Sequence, residues 1–458
     1  MQGYRQEKDA LGIVQVKEEN LWGAQTQRSL ENFDIGTEKM PLEFIYSFVR
    51  IKKAAAIVNH NEKRLAGEEK HRIIEACNQI LNGKFDDQFP LKVWQTGSGT
   101  QTNMNVNEVI AAIANQSREL PKLHPNDHIN ASQSSNDVFP TAMQMTIYQS
   151  IQNKLLMECQ EWVTLLKEKE QQYQTLIKIG RTHLQDAVPM TFGQEISGWR
   201  TMLEKNAQFI EESSKSLKKL PIGGTAVGTG LNAPDHFDQQ IVDELNKTLG
   251  FSFEVEENKF YGLSSHSNLA YSHGALRSLA TDLMKIANDI RWLASGPRGG
   301  LGEILIPANE PGSSIMPGKV NPTQAEALTM IVAQVMGNDA TVQFAASQGN
   351  FQLNVFKPVI LFNMLQSIQL LSEGMRSFRI NCLAGMQANE VQMEKYLKDS
   401  LMIVTALSPK IGYEKSAQIA KFAYTQQLSI RDAALQLELA SKEELDRWLD
   451  PKWMIHKR

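Results

Sequence analysis

The sequence predicts a mainly α-helical protein, with a domain of five long helices packed as a bundle and smaller N- and C-terminal domains on either side. Three observations predict it. Residues Thr141 to Ile179 contain neither Gly nor Pro, which fits one very long helix. From Ser264 to Ala294, the residues Leu269, Leu276, Leu279, Leu283, Ile286, Ile290 and Leu293 recur at gaps of three, four and seven, a heptad seam. Strand signals are confined to short pieces such as Leu11 to Val16.

In chain order, a mixed but mostly helical region precedes the first long helix, giving an expected N-terminal domain over residues 1–133. The first long helix is entered through Asn136, Asp137 and Pro140 and left through Gly180. Its apolar stripe runs Tyr148, Ile151, Leu155, Cys159, Trp162, Leu166, Tyr173, Leu176 and Ile177, stepping as a buried helix face does. A second segment, about Gly193 to Leu220, is stopped by Pro221, and the heptad helix is the third. Two more, about Thr323 to Ser347 and Pro358 to Asn381, complete a bundle domain placed at 134–388. Short helices from about Asn389 make a C-terminal domain over 389–458.

Composition narrows the function. Hydrophobic residues at 42% and charged residues at 21% describe a folded globular chain. A formal charge of -4 lacks the positive excess that binding a phosphate backbone requires, so nucleic acid is not expected as a partner. No apolar run is long enough to cross a bilayer, so no membrane association is expected. Cys77, Cys159 and Cys382 are too few and scattered for disulfides or a zinc cluster, and with no signal-like start they point to the cytoplasm.

Four segments concentrate small hydroxyl, amide and Gly residues at helix edges: Thr96 to Glu108, His124 to Thr141, Gly180 to Glu195 and Gly312 to Glu326. Singly, each reads as a cap or turn. Together they supply neutral donors with little positive charge, suited to holding and releasing a small carboxylate. His183, in a loop between two long helices, is the acid/base candidate, and Glu326 could orient and charge it. Cofactor readings fail. Gly223 to Gly230 follows a helix instead of a strand and reads as a tight packing loop. His124, Asp127 and His128 lack further ligands, and Pro125 breaks any helix on which the two His could share a face, so no metal is expected. His266 and His273 read as packing or polar-face residues. Gly296 to Pro322, with six Gly and five Pro, reads as a mobile loop over a site.

The fourth segment, GSSIMPGKVNP, resembles the signature of the fumarase/aspartase superfamily, and the other three resemble class II fumarases in particular. The resemblance extends from LWGAQTQRSL at Leu21 to the stretch ending at Lys421. It implies reversible hydration of fumarate to L-malate with no cofactor, in a homotetramer whose core holds twenty helices, five from each chain. On this sequence it makes Ser313 the base that takes the C3 proton, and His183, paired with Glu326, the group acting with a bound water. Substrate-binding positions would be Ser98, Gly99, Thr100, Ser134, Ser135, Asn136, Thr182, Ser314, Lys319, Val320 and Asn321. His124, Pro125, Asn126 and Asp127 match a secondary anion site, where Pro121 stands in place of an Arg and Lys122 is the available cation.

Aspartate ammonia-lyase is the nearest alternative, but His183 and the TGSGT run at Thr96 to Thr100 favour fumarase. Argininosuccinate and adenylosuccinate lyases, with larger substrates, are further away. A non-enzymatic, crystallin-like recruit would have lost polar motif residues, and all four motifs are intact. A separation of about 38 residues along the first long helix is about 57 Å at about 1.5 Å per residue. Asn136 and His183 of one chain therefore cannot line one small pocket, and the expected site combines chains of a closed oligomer, with the heptad seam as the associating surface.

Overall fold

The structure is a computed structural model that describes residues 3–116 and 120–455. Strands β1 (Tyr4–Asp9) and β2 (Gly12–Lys17) form an antiparallel hairpin, pairing the expected strand with its predecessor. Helices α1 (Ala24–Asn32), α2 (Leu42–Asn61), α3 (Gly67–Leu81) and α4 (Thr100–Ala114) follow.

The first long helix runs as α5 (Ser135–Ser150), a π-helical turn over Ile151–Leu155, and α6 (Leu156–Gln172). Both expected limits move. The start shifts back to Ser135 because Ser134 caps it and Asp137 closes a capping box. Pro140 lies inside α5 instead of opening it, forgoing only the bond to the Asn136 carbonyl. The end shifts back to Gln172, and Ile177 and Ile179 belong to a strand. The buried stripe is as expected through Ile151, Leu155, Cys159, Trp162 and Leu166.

Beyond α6, β3 (Ile177–Thr182) and β4 (Gln185–Thr191) form a second hairpin where a loop was expected. Its return closes the helix end, since Phe192 N–H donates to Leu176 O and Gly193 N–H to Tyr173 O. Gly193 is required there, because a Cβ would stand 2.7 Å from the Glu170 carbonyl oxygen. Then come α7 (Phe192–Ser214), which gives way to a 3-10 turn before Pro221, α8 (Phe237–Leu249), α9 (Lys259–Ser264) and α10 (Ser267–Leu293). The chain continues with α11 (Thr323–Ala346), α12 (Lys357–Phe378), α13 (Glu390–Asp399) and short helices to Trp453.

The chain divides into two compact units. One comprises Met1–Leu156, Gln208–Ser278 and Ala333–Leu371. Its core includes Phe44, Phe48 and Phe139, with ring centroids 4.7 to 5.7 Å apart. The buried His273 bridges Asp339 and Ser367 at 2.9 Å each, which is the packing role expected for it. The other unit comprises Met157–Ala207, Leu279–Val332 and Ser372–Arg458. Here Trp162 stacks on Phe378 and donates to the Met375 carbonyl, and Leu407, Ile419, Ile430 and Leu445 form a smaller apolar cluster.

Two further expectations are corrected. The heptad residues of α10 are all buried within the single chain, so the seam is core and offers no free surface for association. Exposed apolar side chains on these helices include Phe209 of α7, Tyr271 of α10 and Phe344 of α11. Within Gly296 to Pro322, Glu303 and Ile304 are buried and Ile304–Leu305 pairs with Gln387–Ala388, so that part of the stretch is packed structure. Gly and Pro there permit sharp turns without preventing a buried anchor.

Candidate active site

The first two polar segments build one wall, within the unit that holds α4 and α5. Gly99 caps α4 with φ of 77°, and a Cβ there would fall 2.0 Å from the Phe139 ring, so only glycine fits. This turn aligns three hydroxyls in a chain: Ser98 Oγ to Thr100 Oγ1 at 2.9 Å, and Thr100 Oγ1 to Ser135 Oγ at 2.8 Å. The N-terminal ends of α4 and α5 thus meet at Thr100 and Ser135, and both helix dipoles present their positive ends there.

Asp137 fixes the second segment. It is fully buried, and its carboxylate accepts from the N–H groups of Ser134 (3.0 Å), Gly223 (2.9 Å) and Thr225 (3.0 Å). Burial raises its pKa above the ordinary carboxylate value against the pull of those donors. The Gly223 to Gly230 loop therefore packs as expected and also holds the motif. Asn136 donates its amide to the Ala226 carbonyl at 2.8 Å.

Behind this wall lies a residue that sequence reasoning missed. Lys52 of α2 is buried, and its Nζ donates to Asn103 Oδ1 of α4 at 2.8 Å and to Asn130 Oδ1 at 2.9 Å.

The secondary segment differs from expectation in shape. Pro125 opens a π-helical turn, Pro125–Ile129, instead of breaking one. His124 Nδ1 accepts from the N–H groups of Asn126 and Asp127 at 3.3 Å, and His128 Nδ1 accepts from His124 N–H at 2.9 Å, so the two histidines are in contact. Lys122 is exposed.

The third and fourth segments lie in the other unit. Thr182 pairs with Gln185 across the β3–β4 hairpin, leaving His183 and Leu184 as a two-residue turn with φ of 58° and 60°. Two consecutive left-handed residues suit this kind of turn, but Asn-Gly is its favoured sequence, so His and Leu hold it at a cost. The strand below is anchored by charge. Arg181 Nη1 donates to the fully buried Glu303 at 2.6 Å and lies over the Tyr396 ring, while Lys178 bonds Glu195 at 2.7 Å and reaches Glu303 at 3.5 Å. Glu303→Ala should therefore cost about 3–5 kcal/mol, as removal of one partner of a buried pair does. A fall in the urea midpoint together with reduced turnover is the expected readout.

In the fourth segment, Ser313 Oγ accepts from the N–H groups of Ile315 (3.2 Å) and Met316 (3.1 Å). The loop closes through Gly312 N–H to Lys319 O at 2.9 Å and Asn321 Nδ2 to Gly312 O at 2.7 Å. Ser314, Lys319 and Val320 are exposed, as are Thr182, His183 and Glu326. Among the described residues of one chain, no hydrogen bond or ion pair joins His183 to Glu326.

Ser313 thus differs from Ser314 in having two backbone donors aimed at its oxygen, a distinction the sequence does not make. Asp137 was legible in principle, since Ser134 followed three residues later by an acid is a capping signature. Lys52 and Glu303 carried no such signal. A cavity of about 770 Å3 beside β4, lined by Val188, Pro189, Trp448 and Trp453, shares Val188 and Pro189 with the third segment but includes none of the expected catalytic or substrate-binding residues.

Comparison with known proteins identifies the family. The lyase family matches residues 12–337 and the family described as "Fumarase C C-terminus" matches residues 403–456. The chain is 57% identical to a class II fumarate hydratase of Halalkalibacterium halodurans, over 99% of each chain. It is 56% identical to one of Listeria monocytogenes, again over 99% of each. The solved class II fumarase of Schistosoma mansoni superimposes with a TM-score of 0.96 at 42% identity, covering 98% of this chain and 99% of that one. Matches of that identity along almost the whole chain place it in the class II fumarase family.

Proposed function

We propose that the chain catalyses the reversible hydration of fumarate to L-malate. The observation that carries this reading is the near-full-length identity to class II fumarate hydratases, with all four polar segments intact. The chemistry also accounts for the residue types. The C3 proton of malate is very weakly acidic, and its removal requires that the neighbouring carboxylate be stabilised as it becomes an aci-carboxylate. Lys319, Asn321 and Thr100 supply that stabilisation, the largest contribution to the rate. Ser313 takes the proton. Its hydroxyl is too weak a base unaided, and the Ile315 and Met316 N–H groups, with Lys319, stabilise the alkoxide. His183, charged by Glu326, acts with a water on the departing or adding hydroxide. Ser98, Gly99, Ser134, Ser135, Asn136, Thr182, Ser314 and Val320 hold the substrate, and His124 to Asp127 form a secondary anion site.

The working form in this proposal is a homotetramer with sites shared between chains. The long helix supports it: Ser135 to Gln172 is helical throughout, about 57 Å at about 1.5 Å per residue, with Asn136 in its first turn and His183 beyond its other end. The associating surface is the exposed face of Phe209, Tyr271 and Phe344, with a groove of about 740 Å3 beside Phe209 and Tyr271. No helix among the described residues is long and apolar enough to cross a membrane, and the three buried cysteines are all free, which supports a cytoplasmic setting.

An assay with fumarate, malate and aspartate in parallel tests the activity. Fumarate and malate should interconvert without added metal or nucleotide and after EDTA treatment, and aspartate should release no ammonia. Ammonia release at a rate comparable to fumarate hydration would transfer the chain to the aspartase reading.

A further inference from the structure

The hydroxyl wall at Ser98, Thr100 and Ser135 carries no cation of its own, yet its proposed ligand is a dianion. Two buried cations lie behind it: Lys357, whose backbone N–H donates to the Gly97 carbonyl and whose Nζ is turned to the Asn354 carbonyl, and Lys52, which reaches both halves of the wall. Lysine is rarely buried without a carboxylate partner, but Lys52 is 1% exposed and its two hydrogen-bond acceptors are neutral amide oxygens. Those two amides belong to the two halves of the wall. Asn103 lies one helical turn beyond Thr100 on α4, and Asn130 lies just ahead of Ser134. Asn130 Oδ1 also receives the amides of Asn103 (3.1 Å) and Asn107 (3.2 Å), so the ammonium sits in a closed polar knot. Among the described residues the carboxylate that bears on it, Asp137, is engaged by three backbone N–H groups.

We infer that Lys52 is a positioning residue for the reaction: its buried ammonium ties the first two polar segments together and supplies the positive field that the hydroxyl wall lacks for a dicarboxylate. The inference rests on the proposed fumarase activity. Asn103, which accepts from the ammonium at 2.8 Å, follows Thr100 by about 4.5 Å of helix rise, which puts the separation of the ammonium from the Thr100 hydroxyl on the order of 10 Å. At an effective dielectric of about 20, a unit charge at that distance changes dianion affinity by roughly tenfold or more.

Burial pushes the Lys52 ammonium down to about 7, with Asp137 opposing the shift. Its charge is therefore present below about pH 7 and lost as the pH rises through that value. Asp137 of α5 bears on the ammonium and burial raises its carboxyl from the ordinary value, while Lys357 beside Gly97 is likewise pushed down to about 7 by burial; both are left in place in the two variants below. Asn103 of α4 and Asn130 are neutral amides. The Cys77 thiol of α3 is pushed up to about 12 by burial and stays uncharged. On α2 itself Lys53 donates to Asn78, and among the described residues no group of α8 bears on Lys52.

The test compares kcat/KM for fumarate in the full-length protein and two variants between pH 6 and 8.5. Lys52→Met removes the charge at similar volume. Asn130→Asp is nearly isosteric and cancels the charge by placing a carboxylate on the ammonium, so it serves even if Lys52→Met fails to fold. For both, the expected result is a loss of about tenfold at pH 6 that narrows above pH 8, where the wild-type lysine is neutral too. A loss of less than twofold at pH 6, or an equal loss at both ends of the range, would overturn the inference, the second outcome marking a merely structural role. A wild-type protein that turns over no fumarate would instead sink the activity itself.

Discussion

Ser313→Ala is expected to lower kcat by about 10^3-fold with little change in KM, since general acid–base groups contribute about 10^2 to 10^4 and act mainly in the transition state. The expectation is specific to Ser313. Its oxygen already receives two backbone N–H groups, and those donors gain most when the oxygen becomes an anion. Ser314→Ala, with no such cradle, should hurt less. His183→Asn should match the first loss, again in kcat. Steady-state kinetics in both directions checks all three, and a Ser313→Ala protein that retained most of its kcat would reduce Ser313 to a loop residue.

Asn136→Ala and His183→Asn should each be nearly inactive alone, yet regain activity when refolded together. If each pocket draws Asn136 and His183 from different chains, random mixing gives about one site in four with both residues intact. A recovery near a quarter of wild-type activity is the expected result. No recovery in demonstrably mixed oligomers, or an active monomer, would refute the shared site.

The long helices were legible because they follow rules that a linear sequence displays. Ile151, Leu155, Cys159, Trp162 and Leu166 repeat at helical spacing and are buried as that spacing requires. The end of that helix was not legible, since Tyr173, Leu176 and Ile177 continue the spacing. What stops it is the return of the chain through Phe192 and Gly193, a contact between segments rather than a local preference. The heptad seam shows the converse. Its period was read correctly, but a period does not say whether the partner helix belongs to the same chain. At the site, Ser, Thr and Asn clusters were visible as chemistry. The charges that support them, Lys52 and Glu303, were not, because each is isolated in sequence and acquires its partners only on folding.

The left-handed turn at His183 and Leu184 places function and folding in opposition. Asparagine tolerates that backbone better than histidine does, so the variant expected to abolish turnover is also expected to relax the hairpin. A search guided by thermal stability alone would drift toward it and discard the proposed catalyst, and only selection on turnover would keep an imidazole at a position the backbone would assign to another residue.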